Sequence, residues 1–378
     1  MGALLFLCKC PFSAQQPEMT FPTPIGGVPY HIDLAPSVIF AVAYGCLLPL
    51  VAYRIWDKNS RTVMLLGTII FAVERIVAFS LRAAQATDEG KRFSLSLTAY
   101  IQSDLALGYI GIASDLSNLL RTMLVTPTYG SETYIQSTEA ESRWKFWLTT
   151  AKLSDPEVNG KSNQRDFPGK PPAGTPDHPN TRFWVRRGTR FTGLAFLAAT
   201  ITGIISTGSF VPMVKGETSV HRVEVLRYVS TAVALFLMLF VIGEALWGYF
   251  FLPRVNRQGC TILCAITGLT IVIAIYRLSV MHNSIDSLQS TGPGSLSSST
   301  DKALFYVFHV LPEWLSTSLL LIFNTRRIFS TGFVGDWRYR DETPKELEQR
   351  LKGEAKHREK LKLRELKLSA PEPALTKH

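Results

Sequence analysis

Apolar residues fall in seven long blocks along this chain, separated by short polar stretches and one long one. The blocks run 34–54, 62–82, 97–123, 189–214, 225–251, 260–281 and 303–325. Each is close to the ~20 residues that an α-helix needs to cross a bilayer. Several are apolar all round, the pattern of a helix without a water-facing side. The pattern predicts an all-α integral membrane protein, a seven-transmembrane helix bundle. A segment 1–33 precedes the bundle of 34–327, and a tail 328–378 follows it. The opening "MGALLFLC" has no basic start and too short an apolar run for a signal peptide. Phe6 stands where a myristoylation motif requires Ser or Thr.

Charge orients the bundle. Lys and Arg gather in loops that stay in the cytoplasm. Arg54, Lys58 and Arg61 follow the first block, Arg254 and Arg257 follow the fifth, and the tail is basic throughout. The alternate loops are sparse in basic residues. The N-terminus is therefore expected outside and the C-terminus in the cytoplasm, with the plasma membrane as the expected location. The long connection 127–187 becomes a cytoplasmic loop, with an aromatic, basic part ("ESRWKFWLTTAKL") and a Pro/Gly-rich part expected to be disordered. In the tail, Thr343, Pro344 and Glu346 form a helix-start signature, predicting a charged helix to about residue 368. The net charge of +10 reads as contact with the anionic lipid of the inner leaflet, not with nucleic acid. The basic loop and tail also suit a cytoplasmic signalling protein.

Candidate chemistry lies in the polar residues inside the blocks. A charge at mid-bilayer costs ~2.5–3.5 kcal/mol on insertion scales unless it faces protein or water. Glu74 and Arg75 sit side by side in "IIFAVERIVAFSLR". Glu74 is expected to point into the bundle, and Arg75 to find a partner on the third block, at Asp104 or Asp115. In that block Asp104, Gly108, Gly111, Asp115 and Asn118 share one helical face. Ala195, Ala199 and Gly203 make a close-packing seam on the fourth. Glu74, Arg75, Asp104, Arg277, His309 and Glu313 are the expected lining of a polar cavity open to the outside. Asp115, Asn118, Arg121 and Glu244 are the expected inner polar layer. Interior ion pairs that only fix packing are the competing reading. No metal set, cofactor motif or catalytic nucleophile is legible, so no enzyme is expected. His309 is the one histidine clearly within a block, and a zinc site needs three or four ligands.

The stretches "PYHIDLAPSVIFAVAYGCLLPLVAYR" and "IIFAVERIVAFSLRAAQA" resemble the seven-span fungal proteins described as family-C-like G-protein-coupled receptors. That resemblance implies a receptor-like membrane protein. "IVIAIYRLSV" and "FYVFHVLPEWL" are similar to the last two spans of the fungal lipid-translocating-exporter family. The chain departs from that family in having no acid shortly after Arg277, and in His309 standing where an acid is usual. The expected function is a receptor-like membrane protein with an outward polar cavity. A transporter of lipids or small amphiphiles, or a structural membrane protein, are the alternatives.

Overall fold

The computed structural model describes residues 20–57, 60–131, 133, 171–332 and 335, with 348, 349, 352, 353, 355, 356 and 359 of the tail. The chain divides into two units, Met1–Trp337 and Arg338–His378. In the second unit the described residues are helical. Lys352 there bonds Glu348 one turn earlier at 2.6 Å, an exposed pair of the kind that supports a helix by a few tenths of a kcal/mol, ~0.3–0.5. The capping signature at Thr343 lies outside the described residues, as does the aromatic part of the long loop.

The first unit is a helix bundle. Its helices are α1 (Leu34–Gly45), α2 (Leu48–Trp56), α3 (Leu66–Thr87), α4 (Leu95–Val125), α5 (Pro179–Gly208), α6 (Val220–Phe251) and α7 (Arg257–Val280). The last block forms α8 (Ser299–Phe305), a π-turn over Tyr306–Val310, and α9 (Leu311–Ile322). The first predicted block is broken into α1 and α2. Pro49 stands in the first turn of α2, where its missing N–H costs nothing and where a continuous helix would lose a hydrogen bond.

Six helical segments are long and apolar enough to cross a membrane: His31–Trp56, Val63–Thr87, Pro179–Val214, Val220–Phe251, Arg257–Val280 and Ser299–Ile322. The sequence predicts a seventh in 97–123. That helix forms as α4, but its acids and glycines keep it outside the apolar set. It packs against α3, α5, α6, α7 and α9, and most of its residues are buried. A helix surrounded by protein need not present the apolar exterior that lipid demands.

Where the apolar residues point decides the solvent. Ile39, Phe191, Leu194, Phe236 and Phe250 are 61–72% exposed, whereas Arg75, Arg82, Asp33 and Glu313 are at most 2% exposed. In water that arrangement would leave a large apolar surface uncovered and bury charge without need. In a bilayer the outward residues meet hydrocarbon and the charges meet one another. The fold is that of an integral membrane protein.

Two boundaries differ from the sequence reading. α5 begins at Pro179, so 179–187 is helix and not loop. Its polar, basic first turns hide the helix from a search for apolar runs. The Pro/Gly-rich part of the loop, read as disordered, is placed from residue 171 onward. Asp177 pins it: its carboxylate takes both guanidinium N–H groups of Arg182, at 2.7 and 2.9 Å. It also accepts from the Gly130 N–H at 3.0 Å. The two ends of the long connection are thereby held together.

At one end of the bundle the N-terminal segment folds back over the helices. Phe21–Pro22 pairs antiparallel with Ser284–Ile285, and residues 21–29 are all buried. Gln102 of α4 receives the Ile25 N–H at 2.9 Å and donates to the Ile25 carbonyl at 3.0 Å. One amide side chain thus satisfies both backbone groups of a residue lodged between helices.

A candidate site in the buried polar layers

α3 carries Thr68, Arg75 and Arg82 at seven-residue intervals, and all three are buried. Seven residues make nearly two full turns, so the three share one face at ~10.5 Å steps. Each meets a carboxylate from another part of the chain, and the result is three polar layers stacked along the helix.

The middle layer joins four helical segments. Arg75 forms ion pairs with Asp104 of α4 and Glu313 of α9. Its Nε also donates to Glu313 Oε1 at 3.1 Å, and its Nη2 to the Asp104 backbone carbonyl at 3.2 Å. Gly108 makes this possible: a Cβ there would overlap both the guanidinium and the Glu313 carboxylate. The other Glu313 oxygen lies 3.9 Å from His309 Nδ1. His309 Nε2 in turn stands 3.3 Å from Arg277 Nη1. Arg277 donates to the Leu105 carbonyl at 3.1 Å and lies over the Tyr109 ring. Arg75, Asp104, Arg277, His309 and Glu313 are each no more than 4% exposed.

Of the six residues expected to line an outward cavity, these five do come together, but as a closed network of mutual contacts and not as the wall of an open pocket. The N-terminal segment covers that end of the bundle. Glu74 is the exception. It is half-buried on the flank of α3 beside Tyr100, and it does not point into the core. One residue on a helix turns the direction by about 100°. Arg75 takes the inward position because it reaches two carboxylates there, which Glu74 would repel.

The layer nearest the folded-back segment escaped the sequence reading. Asp33 holds Arg82 and Lys302, each at 2.9 Å. Tyr306 donates to the same carboxylate at 3.1 Å. Lys302 completes its three N–H bonds on the carbonyls of Gly26 and Val28, at 2.8 and 2.6 Å. Arg82 also donates to the Gly26 carbonyl at 2.7 Å. Two cations thus face one acid, and backbone carbonyls take up the excess. By position, Arg82, Lys302 and Asp33 read as block ends and loop charges, and only the folding-back of residues 20–33 brings them together. The signal available was the interval Thr68–Arg75–Arg82.

The expected inner layer does not form as one group. Asp115 accepts from the backbone N–H and hydroxyl of Thr68, at 2.9 and 2.7 Å, with Gly67 leaving the room. Glu244 lies against Gly188 of α5 instead, and Asn118 and Arg121 are half-buried on α4. Arg54, counted as a loop charge, is buried too. It donates to the carbonyls of Leu321 and Ile322 at 2.7 and 2.6 Å, closing the C-terminal end of α9, the end at which a helix favours cations.

Among the described residues no group of three or more His, Cys, Asp or Glu could hold a metal ion. The layers hold their charges by ion pairing and hydrogen bonding. No protein-family profile, curated protein or solved structure matches this chain.

Proposed function

We propose that this chain is a seven-span, receptor-like membrane protein whose N-terminus lies outside and whose tail lies in the cytoplasm, and that its switch is the middle polar layer. One observation carries the reading. The Arg75–Asp104–Glu313–His309–Arg277 network ties four helical segments together, and it runs through a π-turn at Tyr306–Val310. π-Turns inside helices are uncommon and are frequent at functional sites. A buried ion-paired network has few alternative arrangements, so helices joined by it move between discrete states. α4 counts as the seventh span in this reading. At ~46 Å for 31 residues it exceeds the ~30 Å hydrocarbon thickness.

The basic tail and loop would meet anionic lipid and a cytoplasmic partner. Proximity labelling from a ligase fused to the tail tests the signalling part. The wild type and a membrane-localised Glu313→Gln variant are expected to mark different sets of cytoplasmic proteins, and identical sets would overturn the receptor reading. Fluorescent-lipid movement catalysed by the purified protein in liposomes would replace it with transport. Tags at residues 1 and 378 accessible from the same side of the membrane would refute the seven-span topology.

A further inference from the structure

At the end of the bundle opposite the folded-back segment, a cavity of about 440 Å³ opens where α4 ends, α7 begins and the chain leaves α9. That volume falls in the range of small-molecule sites, ~300–1,000 Å³. Met123, Pro127, Arg254, Asn256, Gln258 and Arg327 are among its lining, and none of the described lining residues is acidic. The acceptors around it are largely engaged. Arg254 Nη2 donates to the carbonyls of Pro127 and Tyr129, at 2.5 and 3.1 Å. The Asn256 amide donates to the Ile328 carbonyl at 2.9 Å, and its oxygen accepts from the Gly259 N–H at 3.4 Å. The two carbonyl bonds fix the Arg254 guanidinium at the cavity wall, although its backbone stands at φ +69°, where residues other than glycine are uncommon. The cations themselves are not neutralised. Among the described residues, neither Arg254 nor the exposed Arg327 forms an ion pair with a carboxylate.

We infer that this cavity binds a phosphate monoester, carried either by a phospholipid head or by a small soluble phosphate ester. A guanidinium matches phosphate oxygens in pairs, and such charge-assisted bonds are about twice as strong as neutral ones. Two arginines also match the charge of a phosphate monoester, about −1.5 to −2 at pH 7. Gln258, exposed in the first turn of α7, adds uncharged N–H donors. The depth of the site points to the same chemistry. Just before Arg254, the last turns of α6 expose Trp247, Phe250 and Phe251 by 41–72%. Aromatic side chains gather at the membrane–water interface, the level of phospholipid phosphates, and basic pockets between helices there hold anionic heads. The proposed topology decides only which leaflet supplies a lipid. The site does not rest on it, because binding is measured on the purified protein.

The test is the thermal-unfolding midpoint of the full chain in an uncharged detergent, titrated with dioctanoyl phosphatidic acid, glycerol 3-phosphate and dioctanoylglycerol. Phosphatidic acid is expected to raise the midpoint saturably, and dioctanoylglycerol, which lacks the phosphate, to leave it unchanged. A rise with glycerol 3-phosphate to the same plateau identifies the soluble ester as a sufficient occupant, whereas a rise with phosphatidic acid alone identifies the lipid head. Arg327→Gln, at an exposed position, is expected to weaken binding roughly tenfold. Lys356→Gln, exposed in the basic tail, keeps all of it, which separates this site from diffuse attraction to the tail. No rise with either phosphate compound, an equal rise with dioctanoylglycerol, or undiminished binding by folded Arg327→Gln overturns the inference.

Discussion

Gly108 lies where Arg75 of α3 meets Glu313 of α9, and any side chain on it would occupy the space of that ion pair. The glycine face of α4 therefore lets the helices approach and also leaves a chamber for charge. Gly108→Ala should push the guanidinium and carboxylate apart and lower stability by about 3 kcal/mol, the loss expected when a buried pair is broken. Gly193→Ala, at an open position on α5, should change little. The comparison is read from thermal-unfolding midpoints in detergent, and equal midpoints would show that the pair tolerates separation.

Arg75 is the only cation bridging Asp104 and Glu313 among the described residues. Arg75→Met leaves two buried acids facing each other and should cost about 3–5 kcal/mol. Adding Asp104→Asn and Glu313→Gln should recover most of that loss, because the neutral amides no longer need a counter-charge. If the triple variant were less stable than the single one, the energy of the layer would lie in packing and not in charge.

Lys302 fastens the folded-back segment through the Gly26 and Val28 carbonyls. Lys302→Met should remove the side-chain bond to the Val28 carbonyl, leave the Gly26 carbonyl to Arg82 alone, and strand Asp33 with one cation instead of two. Faster amide exchange at Ile25, with the helix centres unchanged, is the expected outcome. Unchanged exchange at Ile25 would show that Gln102, Arg82 and the strand pairing hold the segment without Lys302.

Asp177 supplies a pH dependence outside the spans. Burial opposes its ionisation, but the hydrogen bonds and charge of Arg182 and the Gly130 N–H outweigh burial and hold its pKa at about 2, below the ordinary 3.8. A carboxyl with a lowered folded pKa stabilises the fold above the unfolded value and loses that contribution as pH falls. The pinned loop base should therefore resist proteolysis equally at pH 7 and pH 5, and weaken only from about pH 4 toward pH 2. In Asp177→Asn the protection should be lower throughout and should not change across the lower window. A wild-type loss already complete at pH 5 would contradict the assignment.

The sequence by itself determined the solvent and most of the helices. Runs of ~20 apolar residues have few ways to satisfy their backbone other than as helices in lipid. The isolated charges within them had to be buried against one another, which pointed Arg75 to an acid of the third block, Asp104 or Asp115, and the structure pairs it with Asp104. The direction of Glu74 did not follow, because adjacent residues on a helix differ by about 100° and periodicity alone does not say which of the two faces protein. The start of α5 at Pro179 was also hidden, since a polar, basic helix end leaves no apolar run. Only the tertiary structure decided that residues 20–33 fold back over the bundle. That fold-back brings Asp33 to Arg82, 49 residues along the chain, and to Lys302, near the other end of the bundle's sequence, and it covers the end where the sequence suggested an open cavity. Contacts so distant along the chain depend on how the helices pack, which local pattern does not record.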